Sequence, residues 1–375
     1  MDSDIHDNSR QAGVKNFLLV NPILSNLTGG GEEVLLKILE VLIDRKQDIS
    51  LIGKLPSGNI FDNLSLSCVK QIPYNYVVDF RSKRFQVYRQ LFSQLKTRRK
   101  LRREVGEVDL EISTQYPMHF INTGKKRVAY VHFPETLTYA RRPAFRHRWF
   151  WKLYYWPFTF LIKWQVKQID LLMCNSCYTQ RAIMDSWGRS AELVYPPVDI
   201  EAFKPVRKEF LVVSVGRFTP VKNYELVVEV ARRMPTVSFV IVGRKHLGDP
   251  YFDKIAALKP DNLTLIADMS RGDVSVLLGR AKVYLHSMVG EHFGISVVEA
   301  MAAGCIPVVH NSGGPKEVVG DVGFLYSSVE ECVGVVGEAL RSAVSPGDVV
   351  ERVKMFSADN FKKNFVAVLE KNGFL

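Results

Sequence analysis

The sequence lacks the features of a secreted disulfide-rich domain and of a membrane-spanning chain. It has five cysteines in 375 residues, an odd number without the spacing of a disulfide framework, which predicts a reducing compartment. Its most apolar run, Trp149–Ile162, contains Lys152 and Pro157 and is too short to cross a bilayer. Because the first residues are acidic and polar, we expect neither a secretory signal nor an N-terminal membrane anchor.

Metal-binding patterns are also missing from the sequence. Apart from Asp2-Ser3-Asp4 in the polar first residues, no D-x-D triplet is present. Cys174 and Cys177 have the CxxC spacing, but a zinc site would need a second ligand pair and a redox site a suitable βα context. We therefore expect no metal ion and no cofactor.

The net charge of +11 is distributed unevenly along the chain. The first 200 residues hold 29 Lys and Arg against 19 Asp and Glu, whereas the remaining residues hold 21 against 20. Such asymmetry predicts an anionic partner for the N-terminal half.

Two segments account for much of this charge. Arg81–Arg103 contains ten Lys and Arg, no Asp or Glu, and apolar residues at helical spacing, which is typical of a basic amphipathic helix. Arg141–Lys167 is basic and aromatic and holds four of the five tryptophans. A solvent-exposed charged face, on a helix whose other face packs on the core, explains both segments as simply as contact with an anionic membrane surface does. Since no recognised nucleic-acid-binding module is present, we expect no nucleic-acid partner.

Short apolar runs alternate with helical patterns along most of the chain. This rhythm predicts an α/β fold with parallel sheets covered on both faces. The predicted strands are Phe17–Val20, Arg127–Val131, Leu171–Cys174, Leu193–Tyr195, Phe210–Val215, Phe239–Val242, Leu263–Ile266, Val283–His286 and Ile306–His310.

The proline-rich segment Tyr195–Arg207 has little periodicity and predicts a linker between two doubly wound domains. We expect an N-terminal domain at 1–200, a C-terminal domain at 201–355, and a final helical segment at 356–375 that packs back on the first domain. In doubly wound sheets, ligands bind at the carboxyl ends of the strands, so two such domains predict a site in a cleft.

Glu291 and Glu299 flank a segment that predicts a loop opening a helix. Ser296 is the predicted N-cap, and Gly304 is the glycine that ends the helix. Free N–H groups at the start of this helix would bind an anion such as a diphosphate; these belong to Phe293, Gly294, Ile295 and Ser296. Considered alone, Glu299 in the first turn is explained more simply by the helix dipole.

The segment Glu291–Val309 resembles the E-x7-E region of glycosyltransferase family 4, and Val215–Asn223 resembles the family's G-R-x-x-x-x-K-N motif. The resemblance implies the GT-B fold, two Rossmann-like domains facing a cleft, and sugar transfer from a nucleotide sugar with retention of configuration. It implies that Arg217 and Lys222 bind the donor diphosphate, that Glu299 holds the ribose, and that Glu291 orients the sugar.

Two features of the N-terminal half also resemble the family. Gly29, Gly30 and Gly31 are similar to its first-domain glycine loop, which approaches the donor, and His132 is similar to the histidine beside the reacting sugar. By themselves, a glycine triplet and a histidine at a strand end are weak evidence for function.

Within the family, several segments resemble the α-1,2-mannosyltransferases of dolichol-linked oligosaccharide assembly; these are GGGEEV, YVHFPE, CNSCYTQRAIMDSWG, VYPPVD and the run from Glu291 through HNSGGPKEVV. This resemblance implies GDP-mannose as the donor, a lipid-linked glycan or glycolipid as the acceptor, and a peripheral location on the cytosolic face of a membrane. Two alternatives stay open: a nucleotide-sugar epimerase or soluble-acceptor transferase on the same scaffold, and a non-catalytic binding protein.

Overall fold

The computed structural model of the protein describes residues 15–20, 30–52, 69–72, 100–114, 123–134, 153, 156, 160, 162–245 and 250–375. Gly29, most of the basic segment Arg81–Arg103 and the beginning of Arg141–Lys167 lie outside these ranges.

The described chain divides into two compact units. The first takes the described residues up to Cys174 together with Ala182–Glu192 and Phe365–Leu375, and the second takes Asn175–Arg181 and Leu193–Asn364. In the first unit, the C-terminal residues are held by ion pairs of Glu370 with Arg45 and of Lys371 with Glu192.

The first unit contains a seven-stranded sheet in the order β3-β2-β1-β4-β5-β6-β7, and its pairings from β3 to β6 are parallel. The strands are β1 (Asn16–Val20), β2 (Asp48–Ile52), β3 (Val69–Ile72), β4 (Val108–Ser113), β5 (Gly124–Val131), β6 (Leu171–Cys174) and β7 (Glu192–Leu193). Helix α1 (Gly30–Asp44) follows β1 and buries the apolar face formed by Val34, Leu35, Ile38, Leu39 and Leu42.

The second unit contains a six-stranded parallel sheet in the order β10-β9-β8-β11-β12-β13. Its strands are β8 (Glu209–Val215), β9 (Ser238–Gly243), β10 (Leu263–Ala267), β11 (Ala281–His286), β12 (Ile306–His310) and β13 (Phe324–Tyr326). The chain runs outward from β8 in one direction and from β11 in the other, so these two central neighbours form the topological switch point of a doubly wound sheet.

Both faces of this sheet are buried. Val212 and Val283 belong to one apolar cluster, whereas their chain neighbours Val213 and Tyr284 belong to a second cluster on the other face. Because successive side chains of a strand point to opposite faces, this division requires helices on both sides. The described helices that lie wholly in the second unit are α3 (Tyr224–Arg233), α4 (Pro250–Leu258), α5 (Arg271–Arg280), α6 (Ile295–Ala302), α7 (Pro315–Val319), α8 (Val329–Arg341) and α9 (Pro346–Val353), whereas α2 (Cys177–Trp187) and α10 (Ala358–Lys371) each have residues in both units.

The predicted α/β class and parallel sheets are confirmed, and the strand predictions were incomplete. The sequence pattern missed β2, β3, β4 and β13, which are short or carry charged residues among the apolar ones. In β4, the carboxylate of Glu111 is fully buried and accepts hydrogen bonds from the backbone N–H groups of Thr123 and Gly124. The strand predicted at Leu193–Tyr195 lies at Glu192–Leu193.

Candidate functional site

The candidate site of the second unit lies at the switch point, where β8 and β11 end side by side. Gly216 and Arg217 follow β8, and the loop from Ser287 to Phe293 follows β11. A close approach of backbones shapes this end of the sheet: a Cβ atom on Gly243 would lie 1.8 Å from the carbonyl oxygen of Gly216. The loop after β8 can therefore cross the end of β9 only because residue 243 is glycine.

Lys222 is positioned by the turn that follows β8. It ends a short 3-10 helix, Pro220–Lys222, and Asn223 then adopts a left-handed conformation with φ 51°. The Ser287 hydroxyl donates a 2.6 Å hydrogen bond to the carbonyl oxygen of Lys222. A Cβ atom on Gly216 would lie 3.3 Å from Cε of Lys222, so the lysine stem passes directly over Gly216.

Lys222 and Glu291 form a largely buried ion pair. The Nζ atom lies 2.7 Å from Oε2 of Glu291, and each side chain is 18% exposed. Burial of the Glu291 carboxyl group acts to raise its pKa, but the charge of Lys222, followed by that of His286, outweighs this effect and lowers the pKa to about 2. Glu291 is therefore a carboxylate at neutral pH despite its burial.

His286 is a member of this cluster that the sequence analysis did not single out. Its Nε2 atom lies 3.8 Å from Oε2 of Glu291, and its side chain is 3% exposed. Burial lowers the pKa of His286 to about 4, the charge of Lys222 adds to this effect, and Glu291 opposes it. Its position as the last residue of a predicted strand, at the carboxyl end where ligands bind in such sheets, could have indicated a role in the site.

Arg217 lies at the same end of the sheet with an exposed side chain. Unlike Lys222, its guanidinium group has no hydrogen-bond or ion-pair partner among the residues described. It is thus a second cation beside the switch point, and it is free to contact an anion there.

The helix predicted after Glu291 is present as α6, but it begins earlier than expected. Its N-cap is Gly294, with φ +99°, so the prediction of Ser296 as N-cap was wrong. Ser296 is instead a helical residue whose hydroxyl accepts a 2.9 Å hydrogen bond from the Tyr284 hydroxyl. The N–H of Val297 donates a 2.9 Å hydrogen bond to the carbonyl oxygen of Gly294, whereas the N–H groups of Ile295 and Ser296 precede the first such bond and present donors at this helix end.

Phe293 can contribute only its backbone to such an anion site. Its side chain is 3% exposed and packs against the rings of Tyr195 and Phe356 in the core.

The loop that carries Glu291 rests on the glycine pair Gly313–Gly314. The N–H of Gly314 donates a 2.8 Å hydrogen bond to the carbonyl oxygen of Glu291. A Cβ atom at Gly313 or Gly314 would lie 2.3 Å from the carbonyl oxygen of Glu291 or of His292, respectively. These glycines therefore fix the backbone of the loop.

Glu299 lies in the second turn of α6, whose first turn contains no acidic residue. The dipole explanation of Glu299 is weakened, because the effect falls off within the first turn of a helix. Its Oε1 atom lies 3.5 Å from Nη2 of Arg271, and its side chain is 17% exposed.

In the first unit, the structure brings together the glycine loop and the predicted histidine. Gly30 and Gly31 begin α1, and His132 directly follows β5. A Cβ atom on Gly31 would lie 3.4 Å from Nε2 of His132, so the imidazole ring lies directly beside the backbone of Gly31. Gly29 lies outside the described residues.

Within the described ranges, no group of three or more His, Cys, Asp and Glu side chains is arranged to hold a metal ion. Among the helices described, none has the length and apolar character needed to span a membrane.

Comparison with protein families and known structures matches most of the chain. Residues 28–202 match the model described as Glycosyltransferase Family 4, and residues 198–334 match the model described as Glycosyl transferases group 1. The chain is 30% identical over 255 residues to the human GDP-Man:Man(3)GlcNAc(2)-PP-Dol alpha-1,2-mannosyltransferase, an alignment that covers 58% of this chain and 52% of the human protein. The chain thus spans about half the length of the curated relatives it matches.

Two solved structures are similar over nearly the whole chain. Sucrose-phosphate synthase from Thermosynechococcus elongatus has a TM-score of 0.75 at 15% identity, with 95% of this chain and 98% of that chain covered. Anabaena Alr3699/HepE in complex with UDP and glucose has a TM-score of 0.66 at 17% identity, with 95% and 99% covered. At these identities, the likeness concerns the fold.

Proposed function

The chain belongs to the glycosyltransferases described by the Family 4 and group 1 models. We propose that it transfers mannose from GDP-mannose to a lipid-linked glycan or glycolipid, with retention of configuration. The observation that carries this proposal is the cluster at the switch point of the second unit. There, Arg217 follows the end of β8, Lys222 pairs with the carboxylate of Glu291, and the first N–H groups of α6 belong to the same unit.

The arrangement is suited to a departing nucleoside diphosphate. Arg217 and Lys222 would neutralise the charge that develops on the diphosphate, and the N–H groups of Ile295 and Ser296 would add hydrogen bonds. This supply of positive charge makes a metal ion unnecessary for the proposed step.

Two carboxylates of the second unit have distinct roles in the proposal. Glu299 would accept hydrogen bonds from the ribose hydroxyls, with Arg271 released to solvent. Glu291 would orient the sugar and stabilise positive charge near its anomeric carbon, a role that requires the ionised form that its low pKa provides.

The transfer step itself would use a residue of the first unit to hold the sugar and the leaving group to accept a proton. His132, with Gly31 beside it, would hold a hydroxyl of the donor sugar. The acceptor hydroxyl attacks the anomeric carbon on the face from which the diphosphate leaves, and the departing phosphate oxygen takes the acceptor's proton. The C–O bond to the diphosphate breaks as the bond to the acceptor forms.

Nucleotide binding tests the choice of donor. GDP at saturating concentration is expected to raise the melting temperature, because a ligand that binds only the folded state stabilises it, by about 2.7 kcal/mol at one hundred times its Kd. UDP is the matched control, as it carries the same diphosphate on another base. A response to UDP and none to GDP would contradict the mannose assignment, and a response to neither would contradict the proposed function.

A membrane location of the acceptor is supported by an exposed apolar stripe in the first unit. Leu153, Trp156, Phe160 and Trp164 follow at spacings of three and four, and their side chains are 66%, 66%, 62% and 47% exposed. Tryptophan is enriched at membrane interfaces, and neighbouring Lys163 and Lys167 favour an anionic surface. We infer that this stripe lies on the cytosolic face of a membrane.

Flotation with vesicles tests the stripe. The double variant Trp156→Glu/Trp164→Glu is expected to lose most of its association with vesicles of phosphatidylcholine and phosphatidylserine, because two interfacial anchors are replaced by charges that the surface repels. The control is Val276→Glu, which changes an apolar residue of α5 whose side chain is 62% exposed. Equal flotation of both variants, or flotation indifferent to phosphatidylserine, would refute the assignment.

A further inference from the structure

His286 is a buried histidine that the proposed chemistry leaves without a role. Its ring is nearly parallel to that of Tyr284, with centroids 6.3 Å apart, and its carbonyl oxygen accepts a hydrogen bond from the Tyr326 hydroxyl. Its Nε2 atom is buried without a hydrogen-bond partner among the described residues. Such an atom is unusual, because buried polar side-chain atoms are nearly always satisfied.

The charged groups around Nε2 identify a hydrogen-bond acceptor for it. The charged groups that face it are Glu291, from the loop after β11, and Lys222, from the turn after β8. Oε2 of Glu291 is 3.8 Å from Nε2, too far for a hydrogen bond, and the same oxygen is 2.7 Å from Nζ of Lys222. A movement of about one ångström would bring Nε2 within the usual hydrogen-bond range.

Donor binding supplies a reason for such a movement. In the proposed function, Lys222 neutralises a diphosphate. An ammonium group that moves toward this dianion has a weaker ion pair with Glu291. A buried carboxylate that loses its cation needs a replacement donor. A neutral imidazole with its proton on Nε2 is such a donor, and it leaves the negative charge on Glu291.

We propose that His286 is a positioning residue. When Lys222 binds the donor diphosphate, Nε2–H of His286 replaces Lys222 as the hydrogen-bond donor to Glu291. The inference rests on the proposed function and deepens it. Lys222 holds Glu291 in the free protein, His286 holds it in the donor complex, and no proton is transferred. The carboxylate therefore keeps its charge and its place beside the sugar during both stages.

Kinetics of two substitutions test this role. His286→Leu removes the donor and is expected to lower kcat about tenfold, with the donor KM changed less than twofold, because the interaction acts after nucleotide binding. His286→Gln places an amide N–H near the position of Nε2 and is expected to recover at least a third of the wild-type kcat. Equal losses in both variants would indicate a packing role and overturn the proposal, as would an unchanged kcat in His286→Leu.

Imidazole 15N spectra of the full chain give a readout that is independent of turnover. The signals of His286 are assigned from their absence in His286→Gln. Free protein at pH 7 is expected to show a neutral ring, and saturation with GDP is expected to show the Nε2–H tautomer with slowed exchange of that proton. An Nδ1–H tautomer with GDP bound would overturn the inference alone, whereas wild-type protein that binds no nucleotide would overturn the proposed function and this inference with it.

Discussion

Lys222→Met is expected to lower sugar transfer by about 10²- to 10³-fold, the effect of removing one donor aimed at developing negative charge. Lys222 is the better placed of the two cations for this effect, since its ammonium group is mostly buried, where charge interactions are less screened than at the exposed Arg217. The measurement is initial-rate transfer from radiolabelled GDP-mannose to extracted lipid-linked glycan.

A second lysine of the same unit provides the control for this variant. Lys254 pairs with Glu225 at 2.8 Å, as Lys222 pairs with Glu291, but its side chain is 57% exposed. Lys254→Met is expected to keep full activity. Transfer by Lys222→Met within twofold of wild type would remove Lys222 from the site, and nucleotide binding without turnover by the wild type would favour the non-catalytic alternative.

The same Lys222→Met substitution is expected to destabilise the second unit by roughly 3 kcal/mol, because it leaves the buried carboxylate of Glu291 without its cation. The double variant Lys222→Met/Glu291→Gln is expected to regain most of that loss, since it removes both charges. Stability would thus return without activity, which separates folding from catalysis.

Chemical denaturation can assign this loss to the correct unit. All five tryptophans precede residue 193, so tryptophan fluorescence reports the first unit, whereas far-UV circular dichroism reports both. The transition seen only by circular dichroism should shift in Lys222→Met. Lys254→Met, with its exposed pair, is expected to lose less than about 1 kcal/mol, and an equal loss in both variants would contradict the assignment.

The pH dependence of the pair has a definite sign. The pKa of Glu291 in the folded protein, about 2, lies below the ordinary value of about 4.3. Its contribution to the free energy of unfolding is therefore complete above the ordinary value and decreases as the pH falls toward 2. Lys222→Met should lose this contribution at neutral pH.

Much of the fold could be predicted from the sequence because its strongest signals are local. The strands β8 to β12 are short apolar runs bounded by turns, and a strand buried on both faces in a parallel sheet has that pattern. Strand β3 was missed since its centre is polar, with Lys70 and Gln71 exposed between two buried residues. Neither exposure nor strand order is visible in a single run of residues.

The resemblance of two motifs to the family singled out Arg217, Lys222, Glu291 and Glu299, and their positions after predicted strands supported the choice of Arg217 and Lys222. The N-cap was misassigned because serine is a common cap. The chain here needs a residue with positive φ, Gly294, and a Cβ atom there would lie 3.1 Å from the side chains of Pro315 and Val297. Such a requirement arises from packing between segments.

The sequence by itself determined the α/β class of the fold, and its resemblance to the family supplied the residues that we propose bind a diphosphate. The first follows from hydrophobic periodicity, and the second from two motifs that match the family. Only the tertiary structure decided that Lys222 is paired with Glu291, that Gly313 and Gly314 pack against the backbone of the loop that carries Glu291, and that His286 faces Glu291. Lys222 and Glu291 are 69 positions apart in the chain, and even His286 and Glu291, which are near in sequence, come together only through the path of the loop after β11.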